Sequence, residues 1–215
     1  MREDLDRLLK AQPETELIEL LILDMGGCLR GKRIPPAEFH DVFESGFNIP
    51  GGTVMFDSLG NTCDRVPYGT TDGDPDVHAR VVPGTLAPTP WAPRPAAQAL
   101  FSLYDRDGSD YFADSRHVLN RVQQRLRQRG LKPVMAMEME FYLLDAAGEQ
   151  PVPRLPAIFG TSQRQGGEQT YQPDDLWQVD GFTAELNQVC LAQGIPVSTA
   201  ISEFGPAQFE VNLHH

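Results

Sequence analysis

The run Met135-Ala136-Met137-Glu138-Met139-Glu140-Phe141-Tyr142-Leu143 changes polarity at every step in its centre. Side chains alternate across a β-strand with a period of two. Met135, Met137, Met139 and Phe141 therefore face one way, and Ala136, Glu138, Glu140 and Tyr142 the other. The first face predicts contact with a core. The second sets two carboxylates about 7 Å apart, two residues at roughly 3.3 Å each. Like charges on one face of an otherwise apolar strand are costly unless something neutralises them. A divalent cation does so, and magnesium or manganese favours carboxylate oxygens. The alternative is an edge strand whose glutamates stand in water.

A second stretch adds to the metal reading. Val197 to Leu213 holds two strand-like runs around the turn signal Gly205-Pro206. With Phe204 to Ala207 as a four-residue loop, Glu203 pairs across from Gln208, and Glu210 lies on the same face. Phe209, Val211 and Leu213 then face the core. Laid beside the first strand, this hairpin gathers four glutamates around one or two cations.

Composition narrows the function classes. The chain has 215 residues, enough for one large or two small domains. Its net charge is −12, with an isoelectric point near 4.7. Phosphate backbones are bound by basic surfaces, so nucleic acid is not the expected partner. Cys28, Cys63 and Cys190 are odd in number and far apart. They match neither a zinc pattern nor a disulfide framework, which points to a reducing, cytoplasmic compartment. No signal segment opens the chain, and no run reaches the roughly 18 apolar residues of a membrane span.

In order, Asp4 to Gln12 reads as a helix with Leu5, Leu8 and Leu9 on one face, and Ile18 to Asp24 as a strand. Gly26-Gly27 turns into Cys28–Pro35, the partner strand of a hairpin. Arg30, Lys32 and Arg33 are a basic cluster in an acidic protein. A solubilising edge strand is the plainer reading, and an anion site the sharper one. Pro36 to Phe43 reads as a helix, Gly46 to Asp64 as a Gly-rich mixed segment, and Asp72-Gly73-Asp74-Pro75-Asp76 as a turn rather than a calcium loop. Ala99 to Asp105 reads as a strand. Asp114-Ser115 caps a helix to Arg129, with Val118, Leu119, Val122 and Leu126 on one face. Ala146 to Gln172 is a polar loop, and Asp180 to Gln193 a helix with Leu186, Val189 and Cys190 inward. The last strand has no following cover, so an N-terminal portion of something longer is expected.

Glu138-Met139-Glu140-Phe141, followed by Glu203-Phe204-Gly205-Pro206-Ala207-Gln208-Phe209-Glu210, resembles the glutamine synthetase superfamily. Val82-Pro83-Gly84-Thr85-Leu86 and the Ser115-Arg116 helix entry fit the same pattern. Arg30-Gly31-Lys32-Arg33-Ile34-Pro35 is similar to the gamma-glutamylpolyamine (gamma-glutamylputrescine) synthetase branch. The resemblance covers the whole chain, and about the first half of a family member.

The resemblance implies an α+β chain. An N-terminal β-grasp domain spans residues 1–110, and the start of a catalytic domain residues 111–215. It implies a ligase that phosphorylates the glutamate γ-carboxylate with ATP and then forms an amide with an amine such as putrescine. Magnesium or manganese ions would sit on Glu138, Glu140, Glu203 and Glu210. Asp57 would take the place of the family's ammonium-site aspartate, and Tyr171 that of a tyrosine near the substrate pocket. The family's Asp-Gly-Ser-Ser is Asp57-Ser58-Leu59-Gly60 here, which favours an amine larger than ammonia. Family members carry glycine where Ala207 stands. Homo-oligomers, usually dodecameric rings, are the family's assembly. The remaining site residues lie beyond this stretch, so the 215-residue chain alone is expected to be inactive. Glutamine synthetase proper, using ammonia, and a non-catalytic binding or regulatory paralogue are the alternatives.

Overall fold

Leu17–Leu23 (β1) buries Ile18, Leu20 and Ile22 and exposes or half-exposes the residues between them, the two-residue period of a strand. The computed structural model that shows this describes residues 2–62, 68–145, 150–158, 160–168 and 170–215. Cys63 and Asp64 lie outside the described residues. The chain forms two compact units, Met1–Pro133 and Val134–His215.

In the first unit, helix Arg2–Ala11 (α1) precedes β1, which folds back antiparallel onto Leu29–Ile34 (β2). A short 3-10 turn leads into helix Phe39–Ser45 (α2). Strands Phe47–Pro50 (β3), Asp76–Val81 (β4), Ala87–Pro88 (β5) and Ala96–Tyr104 (β6) follow. The sheet order is β2-β1-β6-β4-β3, with β5 also on β6. β1 and β6 run parallel, and the other pairs antiparallel. This is the mixed sheet expected of a β-grasp unit. Leu5 from α1 and Phe39, Val42 and Phe43 from α2 join Ile18, Leu20, Ala97, Ala99, Phe101 and Leu103 in one core. Each large side chain buried this way contributes about 1.5–3 kcal/mol.

Strands β3 and β4 go beyond the expected elements. Pro50 cuts the first to four residues, and the second follows directly on an aspartate-rich turn. The period was nevertheless present, since Val77, Ala79 and Val81 are buried.

Helix Ser115–Gln128 (α3) begins as predicted. The Asp114 Oδ1 accepts the Arg116 N–H at 2.8 Å. Its Oδ2 accepts the Leu103 N–H at 2.8 Å, and His117 Nε2 lies 2.8 Å from the Leu103 carbonyl oxygen. One aspartate thus caps the helix and ties it to β6. Of the apolar face, Val118, Leu119 and Val122 are exposed, and His117 is the buried residue of the helix. Apolar spacing marks a face, and polar ties to β6 decided which face turned in.

In the second unit, Glu138–Tyr142 (β7) is followed by Leu144–Asp145 (β8) and Val152–Pro153 (β9), an antiparallel pair. Helices Pro173–Gln178 (α4) and Asp180–Gln193 (α5) come next, and Gly194 ends the second with φ of 70°. Strands Val197–Ser202 (β10) and Gln208–Leu213 (β11) complete an antiparallel sheet of order β10-β11-β7. Cys190, Phe209 and Val211 are buried, with Leu186 and Val189 half-buried, as read from the sequence.

The apolar face predicted for the first strand needs correction. The strand starts at Glu138, and Met135, Met137 and Met139 are all exposed. β7 is the edge of a three-stranded sheet, so little lies over it. Only Phe141 reaches inward, its ring centroid 5.7 Å from that of Phe182 and 6.3 Å from that of Phe209.

Candidate active site

The register of β7, β11 and β10 determines which side chains share a face. Glu140 stands directly opposite Glu210, Glu138 opposite Asn212, and Tyr142 opposite Gln208. On the other side, the Glu203 N–H donates to the Gln208 carbonyl oxygen at 2.8 Å, so those two are opposite as predicted. Residues directly opposite on antiparallel strands point the same way. Glu138, Glu140, Glu203 and Glu210 therefore occupy one face of one sheet.

The amide of Gln208 organises that face. Its Nε2 donates to Glu140 Oε2 at 2.7 Å, while its Oε1 accepts from Tyr142 Oη at 3.1 Å and from the Gly205 N–H at 2.8 Å. Glu138 and Glu140 are exposed, Glu203 is half-buried, and Glu210 is only 7% exposed. Burial raises the Glu210 carboxyl above its ordinary range. A hydrogen bond with Asn212 opposes this, and the charges of Glu138, Glu203 and Glu140 add to it. This group is held close to three like charges and would release that strain to a cation. Among the described residues, no group of three or more His, Cys, Asp or Glu side chains is placed to hold a metal ion. The all-oxygen donor set nonetheless fits a hard divalent cation, which tolerates an open, partly hydrated site.

The turn between β10 and β11 is tight. Ala207 has φ of 60°, the left-handed region where glycine costs least, so the departure from glycine noted at this position coincides with a strained backbone. A Cβ on Gly205 would lie 2.5 Å from Tyr142 Oη and 2.7 Å from Gln208 Oε1. A side chain there would push the tips of Tyr142 and Gln208 away from the carboxylate face.

The Tyr171 N–H donates to the Ser202 carbonyl oxygen at 2.9 Å, which sets Tyr171 beside the end of β10, next to Glu203. Ser202 Oγ accepts the Gln172 N–H at 2.8 Å and donates to the Gln172 carbonyl oxygen at 3.1 Å. The Tyr171 side chain is exposed. Below it, Asp175 is buried, and its Oδ2 has no hydrogen-bond partner among the described residues. Burial, then the Asp174 charge, raises its carboxyl above the ordinary range. Sequence reasoning missed Asp175, since an aspartate opening a short helix ordinarily faces water.

Asp57 belongs to the first unit, whereas the four glutamates belong to the second. It is exposed, and its Oδ1 accepts the Asn61 and Leu59 N–H groups at 2.8 and 2.9 Å. Oδ2 accepts from Asn61 Nδ2 at 3.1 Å. Those bonds, with Asn61 first, hold its carboxyl below the ordinary range. Asp57 also lines a cavity of about 480 Å³ with Met25, Met55, Phe56, Tyr68 and Phe112, an anion at the rim of an apolar hollow.

The basic cluster follows the plainer reading. Arg30 Nε donates to the buried Asp24 at 2.8 Å, Arg33 Nε to Glu19 at 2.8 Å, and Lys32 Nζ to the Asn48 carbonyl oxygen at 2.8 Å. β2 is an edge strand whose cations are engaged within the sheet.

Residues 112–215 match the family described as glutamine synthetase, catalytic domain. The gamma-glutamylputrescine synthetase PuuA of Escherichia coli K12 is 37% identical over 99% of this chain and 45% of its own length. A glutamine synthetase of Thermotoga maritima is 26% identical over 99% of this chain and 44% of its own length. The chain thus spans less than half the length of these curated relatives. Among solved structures, a crystal structure of a novel glutamine synthase homolog superposes with a TM-score of 0.74. It is 19% identical and covers 93% of this chain and 43% of its own. A GmaS/ADP complex gives 0.70 at 20% identity, covering 96% of this chain and 43% of its own. Over residues 112–215 in sequence, and over nearly the whole chain in fold, this chain is similar to the glutamine synthetases.

Proposed function

We propose that the chain is part of an ATP-dependent ligase joining the γ-carboxylate of glutamate to an amine such as putrescine, by way of a γ-glutamyl phosphate. The observation that carries the reading is the register that sets Glu140 opposite a buried Glu210 on a face also bearing Glu138 and Glu203. These four would hold magnesium or manganese. Such ions supply the positive charge that draws in ATP and offsets charge on a transferring phosphoryl group. Glu210 grips most strongly when ionised, Gln208 keeps Glu140 turned onto the face, and Tyr171 flanks it on the nucleotide or substrate side. Asp57 stays ionised to hold the ammonium end of the amine. The apolar lining of its cavity suits an alkyl chain, which favours a larger amine than ammonia.

The proposed division into residues 1–110 and 111–215 follows the end of β6 and the start of the matched segment. The compact units meet further on because α3 is tied to β6 through Asp114 and His117. A cytoplasmic homo-oligomer is the proposed setting. No described helix is long and apolar enough to cross a membrane.

Two measurements test the reading. Manganese titration of this chain should show binding that weakens about tenfold or more in Glu140→Gln and Glu210→Gln, a change of about 1.4 kcal/mol. Equal binding in wild type and variants ends the metal assignment. The full natural gene product should release phosphate from ATP with glutamate and putrescine, and this chain alone should not. Release with ammonium but not putrescine would point to a glutamine synthetase instead.

A further inference from the structure

Three of the four glutamates stand on strands, Glu138 and Glu140 on β7 and Glu210 on β11, where ladder pairing fixes them. Glu203 does not, because β10 ends at Ser202 and β11 begins at Gln208. It sits in the turn instead, where its Oε2 accepts the N–H of the next residue, Phe204, at 3.2 Å. β10 is also an outer strand of its sheet, and the end of an outer strand frays unless something holds it.

What holds it is Ser202, which is 2% exposed. The Tyr171 N–H donates to its carbonyl oxygen at 2.9 Å and the Gln172 N–H to its Oγ at 2.8 Å, while Oγ donates to the Gln172 carbonyl oxygen at 3.1 Å. Gln172 is anchored in turn, since it leads directly into α4 and its Nε2 donates to Oδ1 of the buried Asp175 at 3.4 Å. Tyr171 has φ of 60°. That left-handed conformation sends two successive N–H groups to one residue, and it is costly for a side chain as bulky as tyrosine. Outliers of this kind persist where the surroundings over-determine them, and they collect at functional sites. On the other side, the Glu203 N–H is tied to the Gln208 carbonyl oxygen at 2.8 Å, two residues before Glu210.

We propose, resting on the reading of the glutamate face as a divalent-cation site, that Ser202 is a positioning residue for Glu203. Gripped by Tyr171 and Gln172, it fixes the root of that side chain, so that the carboxylate reaches the face shared with Glu138, Glu140 and Glu210. Ser202 pairs with the buried Phe209, on the core side of the sheet, so its hydroxyl touches no ion and acts through Glu203. Without the hydroxyl, Glu203 remains present and chemically unchanged but free to move, and the face loses grip on a cation.

Manganese titration of this chain, of Ser202→Ala, of Glu203→Gln and of the double variant tests the proposal. Ser202→Ala should weaken binding about tenfold, the usual scale for a group that orients a metal ligand. In the Glu203→Gln background the same change should do almost nothing, whereas in Glu138→Gln it should keep its full effect. A merely structural serine would weaken binding alike in every background. Without metal, hydrogen exchange at the Glu203 amide should quicken roughly tenfold in folded Ser202→Ala. Should that variant not fold, Ser202→Cys, which keeps the side chain's shape and bonds only weakly, takes its place. Wild-type affinity in the folded serine variant, an unchanged exchange rate, or an equal loss with Glu203→Gln present overturns the role of Ser202 and leaves the cation reading standing. Manganese binding that ignores Glu203→Gln, or no binding by the wild type, ends the cation reading of Glu203 and the proposal with it. If neither serine variant folds, Ser202 is structural and the proposal is overturned.

Discussion

Glu210 shows how one side chain carries opposite preferences for two states. Its carboxyl is raised above the ordinary 4.5 by burial and by three neighbouring glutamates. The metal-free fold therefore prefers it protonated. Its stabilising contribution is full below the unfolded value and is lost as pH rises through the higher folded value. Cation binding runs the other way and weakens as pH falls through that same folded value. In chelator at neutral pH, Glu210→Gln should raise stability by about 1 kcal/mol, seen as roughly 2–4 °C in the melting temperature. With manganese in excess, the order of wild type and variant should reverse. A thermal melt in each condition reads both signs, and a variant less stable in chelator would contradict this account. Asp24 behaves oppositely: burial raises its carboxyl, but Arg30 and the Cys28 N–H outweigh that and hold it below 3.8. Its contribution is present above that value and is lost on further acidification.

At the scale of elements, the β10–β11 hairpin was legible because Gly205-Pro206 marks the turn and the two-residue period fixes both faces. Pairing with β7 followed from the like pattern of Glu138 and Glu140. The backbone of Ala207 was not legible, since φ of 60° depends on how the closed turn is filled. Ala207→Gly should stabilise the hairpin by about 1 kcal/mol, measured by denaturant unfolding. A loss of stability would show that the buried methyl outweighs the strain. Helix α3 was legible in its limits and its cap, but not in its orientation, because Asp114 and His117 act through the backbone of a distant strand. Asp175 escaped notice for a similar reason. A buried polar atom without a partner has no signature in spacing or composition, and exists only once neighbours close around it.

For the whole molecule, strand β6 is the element on which the first unit rests. It pairs with β1 on one side, β4 on the other, and β5 at its start. Ala99 is buried opposite Leu20 at the middle of the parallel pair. Ala99→Pro should therefore cost 3 kcal/mol or more (about that much for a lost ladder bond and ring clash), and circular dichroism should show the first unit unfolded. A native-like spectrum would mean the sheet tolerates a break at its centre.

The position of β6 also orders events during synthesis. The β1–β2 and β3–β4 hairpins are each complete before residue 82 is added. Neither has its central partner until Ala96–Tyr104 leaves the ribosome. At about 5–20 residues per second, the Ile- and Leu-rich β1 waits several seconds with one edge open. Parallel pairing across so long a connection is slow in itself. The nascent chain thus passes through an interval in which its stickiest strand is made but unsheltered. During that interval a chaperone, or a neighbouring nascent chain, competes with β6 for the same edge.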